Sequence, residues 1–481
     1  MSALNQTSAQ PHLTARQVPA APRIAVPSSV EPPRPPSSVV RAAQRVIEDL
    51  FGPLDGRQFS VRYWDGTTEQ PAGEPIFELE IRRPSGLRRM LLPPSEIAIA
   101  EAYLFGDIDV HGDMATAASL GDVALRRMNG FGAVLRLLRH AMALPSRDGL
   151  PDNLRVRAAR GLFRFGRAHS ARRDAKAVRF HYDVGNDFYS LWLDRQLVYS
   201  CGYFVRGDED LENGQTAKLD YVCRKLRLRA GERLLDIGCG WGALVVHAAR
   251  HYGVRATGIT LSEQQAAYAR DRVAREGLSE RVRIELRDYR DLGAEQFDKI
   301  ASVGMVEHVG LRRLGEYFGA AYRALKPGGL FLNHGIVSVE DARPRALLEP
   351  LWSWLWRRDR FIRRYVFPDG ELVPAAAVIA NAERQGFELR DVESLREHYV
   401  TTLRHWVRRL EEHEAAACAA VGDFTYRVWR LYLSASARAF RGGDIGVIQS
   451  LLARQDAAGR VRLPRSRADL YGCAPPAHGP A

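Results

Sequence analysis

With 481 residues and 46% hydrophobic side chains, the chain is long enough for two ordered units with their own cores. No uninterrupted apolar stretch reaches the roughly 20 residues that a bilayer span needs. Lys and Arg outnumber Asp and Glu by 69 to 57, a formal charge of +12, which favours an anionic partner: nucleic acid or an anionic membrane surface. The five scattered cysteines contain no Cys-x-x-Cys pair, which excludes a zinc signature and a disulfide framework and fits a reducing cytosol.

Residues 1–38, with PPRPPSS among them, are too rich in Pro, Ser, Ala and Gln to bury a core; a disordered tail is expected, without the apolar run of a signal peptide. Residues 39–145 read as a small α+β domain. A helix is expected over 40–51, a strand and turn in VRYWDG, and two strands in IFELEIRR and LRRMLLPPS. The segment DVALRRMNGFGAVLRLLRHAMALP places Leu125, Met128, Val134, Leu135, Leu138 and Met142 at helical spacing. Packing against neighbours is favoured for this helix, with its basic side as a lipid contact. Residues 146–176 form a basic linker, with Arg and Phe interleaved, suited to the phosphates of lipid head groups or of nucleic acid.

Residues 177–468 form the larger domain. It opens with FHYDVGNDFYSLWLDRQLVYSCGYF, unusually aromatic through Phe180, Tyr182, Phe188, Tyr189, Tyr199, Tyr203 and Phe204. Arg233 to Ile237 is a short apolar strand, followed at once by Gly238, Gly240 and Gly242, a helix over 241–251 and a second strand over 254–259. Strand, glycine turn, helix and strand open a nucleotide-binding βαβ unit, in which glycines let a ligand lie against backbone. A dinucleotide site would carry an acid about 20 residues past the glycines. Here Thr260, Ser262 and Gln265 stand in that region, and the spacing is G-C-G-W-G, which argues against NAD. The pattern D-I-G-C-G-W-G resembles the S-adenosylmethionine (AdoMet) site of class I methyltransferases. Further helices are expected over 403–418 and 426–440, and a disordered tail from 469 to 481.

HYDVGNDFY, LVYSCGYF, LLDIGCGWG, GITLSEQQ, DYRDL, SVGMVEHVG, LNHGI, YVFPDGEL and HYVTTLRHW occur in the same order as in the cyclopropane-fatty-acyl-phospholipid synthase and mycolic acid cyclopropane synthase family, which this chain resembles. AEAYLFGDIDVHGD resembles the lipid-handling N-terminal domain of its longer members. The implied fold is an α/β, Rossmann-like class I methyltransferase domain with a mostly parallel sheet and helical insertions, plus the small α+β domain.

The implied reaction adds the AdoMet methyl carbon across a cis double bond of an unsaturated phospholipid acyl chain. A proton lost from the resulting carbocation closes a cyclopropane ring. Proton loss elsewhere would leave a methyl or methylene branch, and a chain that had lost catalysis would be a lipid-binding module. The implied base is bicarbonate, caged by Cys201, Glu307, His334, Tyr399 and the backbone of Ile336. His308 is expected to point elsewhere, in a structural role. The implied AdoMet contacts are Tyr199, Ser200, Asp236, Gly238, Gly240, Thr260, Gln265, Asp288, Tyr289 and Arg290, with no metal. The partners are an anionic phospholipid bilayer, met peripherally on its cytoplasmic face, and a second copy in a homodimer; nucleic acid is not among them.

Two departures stand out. Relatives carry a cysteine in the helix YLSASARAF, where Ser436 stands here; a cationic route needs no thiol nucleophile, so activity is expected to survive. The stretch 340–362 looks longer than in the shorter members, with Trp352, Trp354 and Trp356 beside Arg357, Arg358, Arg360, Arg363 and Arg364, as aromatic and basic residues sit at a head-group interface.

Overall fold

In the computed structural model the described residues are 37–92, 95–128, 130–147, 185–339, 360–367, 370–461 and 463–471. The expected tail over 1–36, nearly all of the basic linker, Phe180, Tyr182 and the three tryptophans of 352–356 lie outside them.

Two sheets divide the chain. The first has the order β2-β1-β3-β4, from β1 (Phe59–Tyr63), β2 (Thr68–Glu69), β3 (Phe77–Ile81) and β4 (Ile108–Gly112). Along β3, FELEI alternates buried and half-buried positions, as its period of two predicts. The helix Ser38–Phe51 buries Val40, Ala43, Val46, Ile47 and Leu50 against this sheet's core, and the Ser37 hydroxyl caps it by accepting from Val40 N.

LRRMLLPPS is not a second strand. Pro84 opens the helix Pro84–Leu91, where its missing N–H costs nothing, and Leu87 and Leu91, four apart, bury one face. The long basic helix is two helices, Leu120–Arg127 and Phe131–Met142, the second beginning after Gly130. It packs into the core through Leu137 and Ala141, which the expected stripe omitted, while Leu135 and Met142 of that stripe face outward with Phe131.

The second sheet runs β11-β12-β9-β8-β5-β6-β7, built from β5 (Arg233–Ile237), β6 (Arg255–Thr260), β7 (Val282–Leu286), β8 (Phe297–Val303), β9 (Leu325–Ser338), β11 (Glu388–Ser394) and β12 (Ile445–Ala453), with the short β10 (Val373–Pro374) on β9. Strands β9, β8, β5, β6 and β7 are mutually parallel, and β12 returns antiparallel between β9 and β11. Strand order reverses between β5 and β8, so a crevice opens at their carboxyl ends; this is where open α/β sheets bind ligands.

The two sheets are joined through buried charge. On helix Asp423–Gly442, Arg427 donates to Tyr103 O, Ile108 O and Asp109 Oδ2 at 2.9–3.1 Å. One turn on, Arg430 donates to Val110 O, Gly112 O and Glu411 Oε1. The end of the Trp/Arg stretch also docks here: in helix Arg360–Tyr365, Phe361 is buried in the first sheet's core and Tyr365 donates to Glu101. The reading of 403–418 as one helix gives way to Arg396–Glu412 and Glu414–Val421, divided at His413. Residues 469–471 are held rather than loose, because Asp469 pairs with Arg227 and Leu470 is buried.

Candidate active site

The glycine turn after β5 carries φ values of +84°, +53° and +82° at Gly238, Gly240 and Gly242, a region closed to most side chains. A Cβ on Gly238 would strike the Met305 side chain at 2.4 Å, whereas one on Gly240 would enter open space. That space is a cleft lined by Tyr199, Ser200, Asp236, Gly238, Gly240, Thr260, Gln265 and Tyr289 of the predicted set. Asp236, next to last in β5, is buried, with Oδ1 lacking any protein partner among the described residues, and burial raises its pKa to about 7. An orphaned buried carboxylate oxygen beside an open glycine cradle fits the ammonium end of an amino-acid ligand such as the methionine of AdoMet. At the second strand, Thr260 donates to Gln265 Oε1 at 2.9 Å, in place of the absent ribose acid. Asp288 and Arg290 do not line the cleft: they pair with each other at 2.6 Å, and Arg287 stands at the lining instead.

Trp241, on the glycine turn, was not singled out from the sequence. It lines the cleft and donates to Asn186 Oδ1 at 2.7 Å, so the Gly-Asn-Asp stretch braces the turn. Around it Tyr189, Trp192, Tyr199 and Trp429 crowd at tilted to edge-on angles, with centroids 5.1–6.1 Å apart, and Trp406 joins Trp192 and Tyr199. Of the early aromatics, Tyr199 lines the cleft; Phe188 and Tyr189 are core, and Tyr203 and Phe204 stack on His398.

Just past β8, the one-turn helix Val306–Val309 lays Glu307 against β9, where its Oε1 accepts from Ile336 N at 2.6 Å. Oε2 is buried and meets no protein donor among the described residues, and burial raises the carboxyl pKa to about 7. Ile336, Cys201 and Tyr399 share one apolar cluster with Leu395 and Val447. Cys201 is turned onto the carbonyls of Gly202 and Leu395, and burial pushes its thiol well above the ordinary range. His334 lies two residues before Ile336, hence on the same face of β9. Its Nδ1 accepts from Gln449 at 3.1 Å, and burial holds the ring neutral, with a pKa near 3. The Ile336 N–H that the resemblance assigned to bicarbonate is thus occupied by Glu307, so a bound bicarbonate would have to displace that carboxylate oxygen.

His308 does not point away. Successive helical residues diverge by about 100°, so as Glu307 turns to β9, His308 reaches the cleft lining and the ring of Phe367. Tyr432 was also missed. Its hydroxyl lies beside Tyr199 and Ser436 and feels Glu307, and burial raises its pKa to about 12. Only its helical position relative to Ser436 could have marked it. Gly335 is the tightest point, since a Cβ there would sit 2.1 Å from Val306. Gly335→Ala should therefore push the Glu307 helix off β9 and lower methyl transfer by roughly tenfold or more, with a lower Tm; turnover and melting measured together check this.

The cleft at the carboxyl ends of a β5–β8 switch point, with its glycine turn, defines a class I AdoMet-dependent methyltransferase. Solved structures agree: a mycolic acid cyclopropane synthase, CmaA1, complexed with SAH and CTAB superposes with a TM-score of 0.54 at 34% identity, covering 58% of this chain and 97% of that one. The family model described as mycolic acid cyclopropane synthetase matches residues 169–450, and the chain belongs to that family. A domain of unknown function, DUF7884, matches residues 46–120. A "Probable fatty acid methyltransferase" of Pseudomonas putida is 38% identical over 413 residues, 85% of this chain and 95% of the relative. The cyclopropane-fatty-acyl-phospholipid synthase of Escherichia coli K12 is 39% identical over 303 residues, 63% of this chain and 73% of the relative.

Proposed function

We propose that the chain transfers a methyl carbon to a cis double bond of an unsaturated phospholipid acyl chain and closes a cyclopropane ring, with Glu307 as the base. The observation that carries this is Oε2 of Glu307: a buried carboxylate oxygen with no protein donor among the described residues, whose charge acts on Tyr432, itself beside Tyr199 at the cleft. AdoMet, when bound, supplies an electrophilic methyl carbon. Asp236, Ser200, Thr260, Gln265 and the glycine turn hold it, and Trp241 and Tyr199 help keep water out. An alkene is a weak nucleophile, so positive charge develops on the acyl chain, where the electron-rich faces of Tyr199 and Trp241 at the cleft favour it. Glu307 Oε2 takes the proton from the added carbon, and the freed electron pair forms the last ring bond. Tyr399 and Cys201 share the apolar cluster of Ile336 and so help keep its N–H on Glu307.

Purified protein with labelled AdoMet and defined unsaturated vesicles, followed by mass spectrometry of the lipid, tests this. Label in a ring supports it; label in an RNA or DNA sample and not in lipid sinks it. Label in a methyl branch would keep the site and change the product, as the name of the P. putida relative suggests. Dependence of the rate on added bicarbonate would transfer the base's role from Glu307 to that ion.

We further propose that the helix Phe131–Met142 meets an anionic bilayer. Phe131, Leu135 and Met142 are 79%, 57% and 59% exposed and fall on one helical face, beside exposed Arg139. No helix among the described residues is long and apolar enough to cross a membrane. Replacing the three apolar residues by Ser should weaken binding to anionic vesicles by roughly tenfold or more, with SAH binding unchanged. Flotation with vesicles and calorimetry with SAH check both halves, and vesicle binding that survives the triple change sinks the assignment.

A further inference from the structure

Helix Leu211–Lys225 buries two lysines, and they are treated differently. Lys225 pairs with Glu393 and with Asp391 at 3.5 Å. Lys218, 2% exposed, has no carboxylate within 4.0 Å among the described residues; its ammonium donates to Ser200 Oγ at 3.0 Å. The side chain lines the glycine cleft together with Ser200 and Asp236. Nearby Asp194 is already engaged, accepting from Val198 N at 2.7 Å and Gln196 N at 3.0 Å. Burial, the largest influence, draws the lysine's pKa down to about 8, which still leaves it mostly charged at neutral pH. Asp194 and Asp236 act on this cation only from beyond 4.0 Å, and a buried cation so weakly answered is costly unless a ligand brings a closer anion.

We infer that Lys218 receives the α-carboxylate of the amino-acid part of AdoMet, beside Asp236 Oδ1 for the α-ammonium, so that one buried cation and one buried anion match a zwitterion. Ser200, held by Lys218 through its hydroxyl and by Gln215 Nε2 through its carbonyl at 2.8 Å, is a positioning residue in this arrangement. The inference rests on the AdoMet reading of the cleft and adds how the amino-acid end is told from a bare nucleoside.

The test is calorimetric binding of SAH and of 5′-methylthioadenosine, which lacks the amino-acid group, to wild type, Lys218→Met and Lys218→Gln. SAH affinity should fall roughly 10- to 100-fold in both variants, as loss of a charge-assisted bond predicts. Binding of 5′-methylthioadenosine should stay within about twofold of wild type, since the nucleoside pocket is untouched; the Gln variant keeps a donor for Ser200. Unchanged SAH affinity overturns the inference while leaving the AdoMet reading standing. Parallel loss of both ligands in both variants also overturns it, because the lysine would then be holding up the pocket. If wild type binds neither ligand, the AdoMet reading falls and this inference with it.

Discussion

Glu307→Gln is expected to lower methyl transfer to unsaturated phospholipid by roughly 10²- to 10⁴-fold, the range a positioned general base supplies, while SAH binding stays close to wild type. The amide keeps an oxygen to accept from Ile336 N and so preserves the 2.6 Å contact, but it cannot take a proton. Burial raises the Glu307 pKa from the ordinary 4.5 to about 7, the backbone bond from Ile336 only partly opposing it. A base must be ionised, so the wild-type rate should climb as pH rises through about 7, and the variant should lose that climb. Stability runs the other way. The folded state holds the proton more tightly than the unfolded chain, so the carboxyl's contribution is complete below about pH 4.5 and is lost as pH rises through 7. Glu307→Gln, which resembles the protonated form, should then melt above wild type at pH 8. A rate profile and a melting series on the same two proteins decide it; a variant that retains full turnover ends the base assignment.

Arg427→Met should give the largest loss of stability, about 3 kcal/mol, as when one partner of a buried ion pair is removed. Three acceptors, Tyr103 O, Ile108 O and Asp109 Oδ2, lose their donor at the junction of the two sheets, and the guanidinium no longer covers the Tyr103 ring 4.2 Å away. Arg82, 2.8 Å from Asp109, softens the effect without replacing the two carbonyl bonds. Burial pushes the Asp109 carboxyl up, but Arg427 and its other partners outweigh that and leave its pKa below the usual value. The ion pair's contribution is therefore present above about pH 4 and fades as pH falls through the lowered pKa. Melting at pH 7 and at pH 3 should show the wild-type advantage shrinking in acid. Limited proteolysis of the variant at neutral pH should release the first-sheet unit early, and a variant as resistant as wild type would show that Arg427 does not couple the two sheets.

Much of the chemistry was legible along the chain because it is local. Strand, glycine turn and helix from Arg233 onward follow from an apolar run, three glycines that the backbone needs at positive φ, and helical spacing, all within one βαβ unit. Thr260 with Gln265 and the half-buried alternation of β3 are equally short-range. Where the sequence reading went astray, a distant partner decided. LRRMLLPPS has the apolar content of a strand, but the core of the first sheet receives it as a helix opened by Pro84. His308 and Glu307 are neighbours in sequence, and only the packing of their one-turn helix on β9 sends one to Ile336 and the other to the cleft.

The amino-acid order alone determined the fold class, the cofactor turn and the identity of the acid beside it, because each rests on backbone conformations and side-chain types set within a few residues. Tertiary structure decided which buried charges are closely paired and which are not. Lys218 and Lys225 share one helix and one chemistry, yet β11 brings Glu393 and Asp391 to the second, while among the described residues no carboxylate comes within 4.0 Å of the first. Charge compensation in a low-dielectric interior acts across space, between residues the chain keeps far apart in sequence.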